Sequence, residues 1–182
     1  MHHIVATNFT ELSEEQLLFI LQRRNHPEVR RWMAHPEPIA DQDHLAYCAT
    51  LKERPETLLL YVTYDGAPAC VLSYKAHDAS WQEIDDSGCY GFDPAPCSTA
   101  IVSQLMRLKL ATLKGIKKVK IKVLSANEMA LFACQYYHGY QITGSNEKYT
   151  QLELSLPEPG AVYQAQLEAQ LAKLHATLEL KL

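Results

Sequence analysis

The chain has 182 residues, of which 47% are hydrophobic and 21% are charged, and its formal net charge is -4 at pH 7. This length and apolar content predict a single globular domain with a sizeable core. Nucleic acid is not expected as a main partner, because binding to phosphates requires a basic surface, and a membrane is not expected either, because no apolar run approaches the roughly 20 residues that cross a bilayer.

Helices are predicted for the first third of the chain. Apolar residues recur at helical spacing over residues 14–24, directly after Ser13, which is placed as an N-cap. Pro27 fits the first turn of a second, short helix that ends near Ala34. A third helix is expected near residues 41–53, so three helical segments precede the first strand that the pattern predicts.

Strands dominate the middle of the chain. Residues 57–64 are rich in Leu, Tyr, Val and Thr, and an Asp-Gly turn separates them from a second extended stretch at residues 69–75. This pattern predicts a β-hairpin. A weaker strand is expected over residues 87–92, followed by a proline-rich turn and a helix over about 98–113.

The remaining elements alternate between strand and helix. Lysine alternates with Val and Ile over residues 118–123, which predicts a strand with one solvent-facing side, and a helix over about 127–137 and a strand over 148–156 follow. Beyond a proline-rich stretch, leucines spaced by four, three and four residues predict an amphipathic helix that reaches nearly to the C-terminus: Leu167, Leu171, Leu174 and Leu178.

This order of elements predicts a mixed α/β architecture built around one sheet. Residues 1–156 form the expected domain, and residues 157–182 form an added C-terminal helix. That helix needs a surface to pack on, so it either covers the sheet of its own domain or pairs with a second copy of the chain.

Cysteine and histidine usage indicates a compartment and argues against a metal site. Cysteines in odd number, with no C-x-x-C pair and no signal peptide ahead of them, favour a reducing cytoplasm: Cys48, Cys70, Cys89, Cys97 and Cys134. The eight histidines are scattered, and no pair has the spacing of zinc ligands on a helix or short loop. No metal is therefore predicted.

Short motifs near the N-terminus carry a resemblance to a known family: Asn-Phe-Thr-Glu-Leu at 8–12, Arg-Asn-His-Pro at 24–27, then Arg30, Trp32, Met33 and His44-Leu45. In these residues the chain resembles the UDP-4-amino-4,6-dideoxy-N-acetyl-altrosamine N-acetyltransferases of pseudaminic acid biosynthesis, which supplies a sugar for flagellin glycosylation. The resemblance implies the GNAT N-acyltransferase fold up to about Leu156. It leaves the last helix uncovered, which favours its use in a homodimer.

The resemblance implies that the substrate is a nucleotide-linked amino sugar. Arg24 and His44 are expected to face this substrate, with Lys75 and Tyr90 on the following strands as further candidates. An arginine offers a planar fork of donors, and a histidine can donate or accept a hydrogen bond. The alternative is that Arg24 is a solvated helix charge, and Trp32 is expected to pack in the core.

The resemblance also implies acetyl-CoA as cosubstrate, held by backbone amides of a glycine-rich turn at a helix N-terminus. Here the turn at residues 94–100 contains two prolines and no glycine. Its hydroxyl residues either supply donors beside the helix amides or only cap the helix without binding a cofactor. The candidate cofactor-binding residues are Cys97, Ser98, Thr99 and Asn127.

The residues expected to catalyse acetyl transfer differ from the family pattern. The family's glutamate after the fifth strand falls on Ser125 here, and its tyrosine in the next helix falls on Cys134. Glu128 is the expected substitute for the base. Tyr137 is the expected substitute for the acid, because residues three apart lie on nearby faces of a helix. The alternative for Tyr137 is an aromatic residue that packs in the core.

Three functions remain open at this point. The leading hypothesis is acetyl transfer from acetyl-CoA to the amine of a nucleotide-linked amino sugar, by direct attack of the amine on the thioester. The second is a GNAT-fold protein without catalytic activity that binds a nucleotide-sugar or a protein partner. The third keeps acetyl-CoA but uses a different amine, since a fold does not fix the acceptor.

Overall fold

The computed structural model describes residues 1–182. Its strands all belong to one mixed sheet, and their bounds are β1 (His2–Asn8), β2 (Thr57–Tyr64), β3 (Ala67–Ala76), β4 (Glu83–Gly91), β5 (Lys118–Leu124), β6 (Gln141–Ser145), β7 (Tyr149–Ser155) and β8 (Ala176–Lys181). The α-helices are α1 (Glu14–Asn25), α2 (Pro27–Arg30), α3 (Asp41–Ala49), α4 (Thr99–Lys114), α5 (Glu128–Phe132) and α6 (Gly160–Lys173).

The strands follow the order β6-β7-β5-β4-β3-β2-β1-β8 across the sheet. β1 to β4 form an antiparallel meander, and β7 pairs antiparallel with both β5 and β6. β4 and β5 are parallel, since α4 connects them by a crossover. Their pairing is confined to Glu83 with Lys118 and Ile84 with Val119, so a short junction joins the two halves of the sheet.

The two faces of the sheet carry different hydrophobic clusters, because strand side chains alternate between faces. α4 covers one face, where its buried Leu105 and Leu110 belong to the same cluster as Ile84 of β4. α1 and α3 cover the other face, where Ile20 of α1 belongs to a smaller cluster with Tyr61 of β2. The sheet therefore separates a large core from a small one.

Local signals in the sequence set several boundaries as predicted. Ser13 caps α1 and forms a capping box with Gln16, and Pro27 occupies the first turn of α2. Asp65 and Gly66 have positive φ values of 49° and 80°, as a two-residue turn between β2 and β3 requires. The predicted hairpin, the helix at α4 and the lysine-alternating strand β5 are confirmed, with ends that shift by one or two residues.

Other boundaries differ from the prediction. α2 ends at Arg30, four residues before the predicted end, and the third helix becomes a 3-10 turn over Thr50–Glu53. β4 begins at Glu83 rather than Ser87, and α5 continues as one π-helical turn over Ala133–Tyr137. These differences concern the ends of short elements, where contacts with neighbouring elements outweigh the local sequence pattern.

The sequence pattern misses β1 and β6. The apolar residues of β1 are consecutive, at positions 4–6, and β6 is almost entirely exposed, so neither shows the clear alternation of apolar residues that identifies a half-buried strand. Both strands are fixed by pairing, β1 with β2 and β6 with β7. Pairing partners distant in sequence are not visible to a local pattern.

The prediction of one long C-terminal helix is wrong in its second half. α6 ends at Lys173, His175 turns the chain with a φ of 49°, and β8 pairs in parallel with β1. Leu178 and Leu180 alternate with exposed residues and pack against the large cluster. The spacing of the four leucines is compatible with a helix, but the residues of β8 also alternate between apolar and polar types with a period of two. The segment forms a strand because β1 offers it an unpaired edge.

The first half of that segment is the predicted helix, and it packs within the same chain. Tyr163 and Leu167 of α6 are buried in the large cluster. Gly160 lies so close to α4 that a Cβ atom there would stand 3.3 Å from the carbonyl oxygen of Thr112. The apolar stripe of α6 is therefore covered in cis, while the predicted homodimer stays a prediction. None of the helices is long and apolar enough to cross a membrane.

Candidate functional site

A cleft opens where β4 stops pairing with β5. The register between β3 and β4 shifts after Ile84, because Ala76 pairs with Ile84 while Lys75 pairs with Asp86. The extra residue, Asp85, makes a bulge that bends β4 just beyond its junction with β5. The rest of β4, up to Gly91, then has no partner on the β5 side. We describe the cleft by its two sides, the α4 side and the α1 side.

Thiol, imidazole and guanidinium groups lie on the α4 side of the cleft. Cys89 is exposed, yet the surrounding walls desolvate its thiol and raise its pKa. Burial raises the pKa of the half-buried Cys134 to about 11, with Cys89 adding to the shift and Arg107 opposing it. Burial lowers the pKa of His138 to about 4, so its imidazole is neutral at pH 7. Both thiols are likewise protonated, so neither is an activated nucleophile.

On the α1 side the cleft leads into an open pocket of about 330 Å³. Its polar wall comes from α3, from the segment between α3 and β2, and from strands β3 and β4, and it includes Tyr47, Arg54, Ser73, Lys75 and Asp86. The Arg54 guanidinium lies 5.4 Å from the ring centre of Tyr47. The pocket therefore combines two cationic groups, an aromatic face and two carboxylates, Glu56 and Asp86, of which Asp86 lies directly beside the bulge.

Asp86 is a functional candidate that sequence reasoning missed. Its carboxylate reaches the pocket, but the neighbouring strands partly desolvate it and raise its pKa, while Lys122 and Lys75 oppose the shift. A carboxylate with a raised pKa suits a general base that works near neutral pH. The available signal was the acidic pair Asp85-Asp86 directly before the strand predicted over residues 87–92, since acidic residues are unusual in strands.

The four predicted substrate residues do not share one site. Arg24 donates to the carbonyl oxygens of His35 and Glu37 at 2.6 and 2.7 Å, so its donors hold a loop of the protein. His44 is buried, burial lowers its pKa, and its Nε2 lies 3.6 Å from the sulfur of Cys48.

The other two predicted substrate residues lie on neighbouring strands. Tyr90 is half-buried against the small cluster on the α1 side, where burial raises its pKa. Lys75 alone of the four lines the pocket. Trp32 is 38% exposed, so it is not the core residue that the sequence suggested.

The predicted cofactor residues gather at two helix starts. Ser98 occupies the N-cap position of α4 but makes no capping hydrogen bond with its side chain. Thr99 packs against β4, since a Cβ atom at Gly91 would stand 2.7 Å from the Thr99 hydroxyl. Cys97 is half-buried against the large cluster. Asn127 caps α5 by accepting from the Ala130 amide at 3.2 Å.

The predicted catalytic residues lie outside the cleft lining described above. Glu128 is exposed in the first turn of α5. Tyr137 is 59% exposed and packs edge to face on Phe132 and Tyr136, with ring centres 5.8 and 5.5 Å away. Of residues 134 and 137, it is Cys134 that packs against the core beside the cleft. No group of three or more His, Cys, Asp or Glu side chains is arranged to hold a metal ion.

Comparison of the sequence with family models and with curated proteins finds no match. Comparison of the structure finds many similar folds. The N-acetyltransferase PseH of Campylobacter jejuni, also solved in complex with acetyl coenzyme A, is 18% identical with a TM-score of 0.65, over 84% of this chain and 97% of that chain.

Two other solved acetyltransferases are similar. The ribosomal L7/L12 alpha-N-protein acetyltransferase RimL, in complex with coenzyme A, is 14% identical with a TM-score of 0.64, over 80% of this chain and 91% of that one. An acetyltransferase of the GNAT family from Streptococcus pneumoniae is 10% identical with a TM-score of 0.62, over 84% of this chain and 99% of that one. These similarities confirm the predicted GNAT fold.

Proposed function

We propose that this chain, which has the fold of the GNAT acetyltransferases, transfers an acetyl group from acetyl-CoA to an amine. The observation that carries the proposal is the cleft between β4 and β5, which connects the start of α4 on one side with the polar pocket on the other. Two proteins with this fold have been solved with coenzyme A or its acetyl thioester. A thioester and an amine that enter from opposite sides would meet at the bulge in β4.

The first turn of α4 is the expected place for the phosphates of the cosubstrate. A 16-residue helix directs its unpaired first amides and the positive end of its dipole toward the preceding turn. Ser98 makes no capping bond, so its hydroxyl and these amides are available to an anion. Pro94 and Pro96 lack amide donors, and the turn has no glycine, so we expect weaker binding than a glycine-rich turn gives.

Asp86 is the proposed general base. It accepts a proton from the ammonium form of the acceptor, either directly or through one water, and leaves a neutral amine. The amine attacks the thioester carbonyl, the C–N bond forms and the C–S bond breaks; the nitrogen releases its second proton to solvent, and the departing thiolate takes a proton from solvent. Asp86 is preferred to Glu128 because it lies in the pocket wall beside the bulge, whereas Glu128 lies exposed at the start of α5.

The proposed acceptor is the amine of a nucleotide-linked amino sugar, of the kind used in pseudaminic acid biosynthesis. Arg54 and Lys75 offer donors for a diphosphate, beside the carboxylates of Glu56 and Asp86 that balance their charge, and Tyr47 offers a flat face for a sugar or base. Structural similarity to PseH is consistent with this acceptor but does not select it at 18% identity. A peptide N-terminus is the competing acceptor, since RimL acts on a protein alpha-amine.

A GNAT-fold binding protein without turnover is the second candidate. It is favoured by the two prolines in the turn before α4 and by the exposed position of Tyr137, which together remove a strong phosphate site and a buried acid. Such a protein would bind a nucleotide-sugar or a protein partner through the α1 side of the cleft. It would not respond to acetyl-CoA.

Thermal stability in the presence of acetyl-CoA tests the proposal. A ligand at 100 times its dissociation constant stabilises the native state by about 2.7 kcal/mol, which raises the melting temperature by several degrees. Acetyl pantetheine, which lacks the nucleotide phosphates, is the matched control and should stabilise less. No shift with millimolar acetyl-CoA would reject the enzyme. Free thiol released from acetyl-CoA, measured with an amino-sugar nucleotide or a peptide, then identifies the acceptor.

A further inference from the structure

Arg107 is a buried cation without an anionic partner. It lies two turns into α4, roughly 12 Å along the helix axis from Thr99, and is only 7% exposed. It takes part in none of the salt bridges of the protein. Buried arginines are almost always paired, because removing an unpaired charge from water is costly. The position therefore requires an explanation.

The buried side-chain atoms without a hydrogen-bond partner lie on residues around Arg107. Three buried side-chain polar atoms in the protein lack a hydrogen-bond partner, namely Oη of Tyr74, Nε of Arg107 and Nδ1 of His138. The guanidinium carbon of Arg107 lies 5.6 Å from the ring centre of Tyr140, and Tyr140 lies 6.4 Å from the His138 ring. Folded proteins pair the great majority of such atoms, so each of these three needs an explanation.

The pKa shifts of the same groups agree with this placement. Burial raises the pKa of Tyr74, and the charge of Arg107 opposes that shift. Burial lowers the pKa of His138, and the charge of Arg107 lowers it further. Burial also raises the pKa of Cys134, again opposed by Arg107. Tyr74 and Tyr140 belong to the large cluster beneath α4, and Cys134 packs against it, so the group lies on the α4 side of the cleft.

The unpaired groups define the chemistry of a ligand. A guanidinium, a phenol hydroxyl and a neutral imidazole N–H can all donate, and no carboxylate is present to accept from them. The planar fork of an arginine matches the two oxygens of a carboxylate. The ring of Tyr140 offsets part of the charge and its hydroxyl group accepts a side-chain hydrogen bond from Arg107, but a neutral phenol supplies no negative charge to pair with the guanidinium. An acetyl group would leave these donors unused.

We infer that Arg107, Tyr74 and His138 form a receptor for a carboxylate on the α4 side of the cleft, and that the acyl group taken from the thioester carries this carboxylate. The inference rests on the proposed function in placing a thioester in the cleft. A dicarboxylic acyl thioester such as succinyl-CoA fits this chemistry better than acetyl-CoA. In its transfer the C–S bond breaks and a C–N bond forms as before, and the distal carboxylate remains ionised on Arg107.

The test compares ligands on the full chain by calorimetry and thermal shift. Acetyl-CoA, succinyl-CoA and free succinate are each added to the wild type, to Arg107→Met and to Lys109→Met, which removes a positive charge from the same helix outside the cluster. We expect succinyl-CoA to bind the wild type at least tenfold more tightly than acetyl-CoA. In Arg107→Met this preference should vanish, while Lys109→Met should keep it.

The melting temperature of the ligand-free variant gives a second readout. Arg107→Met should melt at the same temperature as the wild type or higher, because it removes an uncompensated buried charge. A lower melting temperature together with an unchanged ligand preference would assign Arg107 a purely structural role and overturn the inference. If the variant fails to fold, the wild-type comparison of the three ligands still decides.

The ligand series separates this inference from the proposed function. Equal binding of acetyl-CoA and succinyl-CoA would overturn the carboxylate receptor and keep the acyltransferase. Stabilisation by succinate alone, lost in Arg107→Met, would support the receptor and reject the thioester. No stabilisation by any of the three ligands would overturn both.

Discussion

Two polar regions of this protein contrast sharply in how their hydrogen bonds are used. At the end of α1, Arg24 donates to two backbone carbonyls, and Asn25 both donates to and accepts from the backbone of Ile39 at 2.8 and 2.9 Å. On the α4 side of the cleft, Tyr74, Arg107 and His138 have buried polar atoms with no partner. The first region finds its partners within the protein, and the second lacks them.

This difference separates architecture from binding. A side chain whose donors are already bonded to the backbone would lose those bonds in order to hold a substrate, so it stabilises the free protein rather than a complex. An unpaired buried donor costs stability in the free protein and regains it only when a ligand arrives. The Arg-Asn-His-Pro motif thus has a sufficient structural explanation, because it clamps the loop that follows α2.

Replacement of Asp86 is expected to have the largest effect on turnover, and it tests whether the cleft is the catalytic region. Asp86→Asn keeps the shape of the side chain but cannot accept the proton of the acceptor amine, so turnover should fall by roughly 10²- to 10⁴-fold. Steady-state release of free CoA measures the change. Because the pKa of Asp86 is raised, wild-type turnover should decline on acidification at a pH above the ordinary aspartate range.

Glu128→Gln is the matched control, since it removes the same charge from an exposed carboxylate at the start of α5. Its turnover should stay within about twofold of the wild type. Tyr137→Phe should behave in the same way, because its hydroxyl lies on a ring that is 59% exposed. Loss of activity in either variant, with Asp86→Asn unaffected, would show that catalysis depends on Glu128 or Tyr137, as the sequence predicted.

Replacement of Arg24 tests the region at the end of α1, where the polar groups bond to the backbone. Arg24→Met removes two hydrogen bonds to carbonyls at 2.6 and 2.7 Å, and partial exposure reduces what each contributes, so we expect a loss of about 1–2 kcal/mol in the free energy of unfolding. Affinity for acetyl-CoA and for the acceptor should change less than twofold. Denaturant unfolding and calorimetry measure the two effects.

Arg31→Met serves as the control, because Arg31 is exposed and pairs only with neighbours on its own helical segment, Glu28 and Trp32. Its unfolding free energy should stay within about 0.5 kcal/mol of the wild type. If Arg24→Met instead keeps full stability and loses acceptor affinity, Arg24 binds the substrate and the contrast between the two regions is wrong.

Acidification should weaken the cleft region, with the smallest of these effects. Burial holds the pKa of His138 at about 4, against an ordinary value of 6.5. The unfolded chain therefore binds more protons between pH 6.5 and 4, and stability falls as the pH drops through this window. The loss should be on the order of 1 kcal/mol between pH 7 and pH 5.

His138→Asn should remove that component, since an amide does not titrate. Urea unfolding at pH 7 and pH 5 for both proteins measures it, and an identical pH response in the two would show that His138 is not the group responsible. A carboxylate bound at Arg107 should also reduce the acid sensitivity of the wild type, because a nearby anion favours the imidazolium.

The sequence determined the elements whose signals are local. Ser13 and Gln16 start α1, Asp65 and Gly66 set the hairpin turn, and alternating lysines mark β5. Caps, turns and periodicity depend on residues a few positions apart, so a linear pattern contains them. The GNAT resemblance, confirmed at the level of fold, rested on the order of these elements and on the N-terminal motifs.

The tertiary structure decided everything that depends on partners distant in sequence. β8 is a strand because the edge of β1 was free to pair with it. Arg24 holds a loop because the carbonyl oxygens of His35 and Glu37 accept its hydrogen bonds. The cleft residues Asp86 and Arg107 come from different elements and share no motif. Whether a polar group is paired or left open for a ligand is a property of its neighbours in space, and no sequence pattern records it.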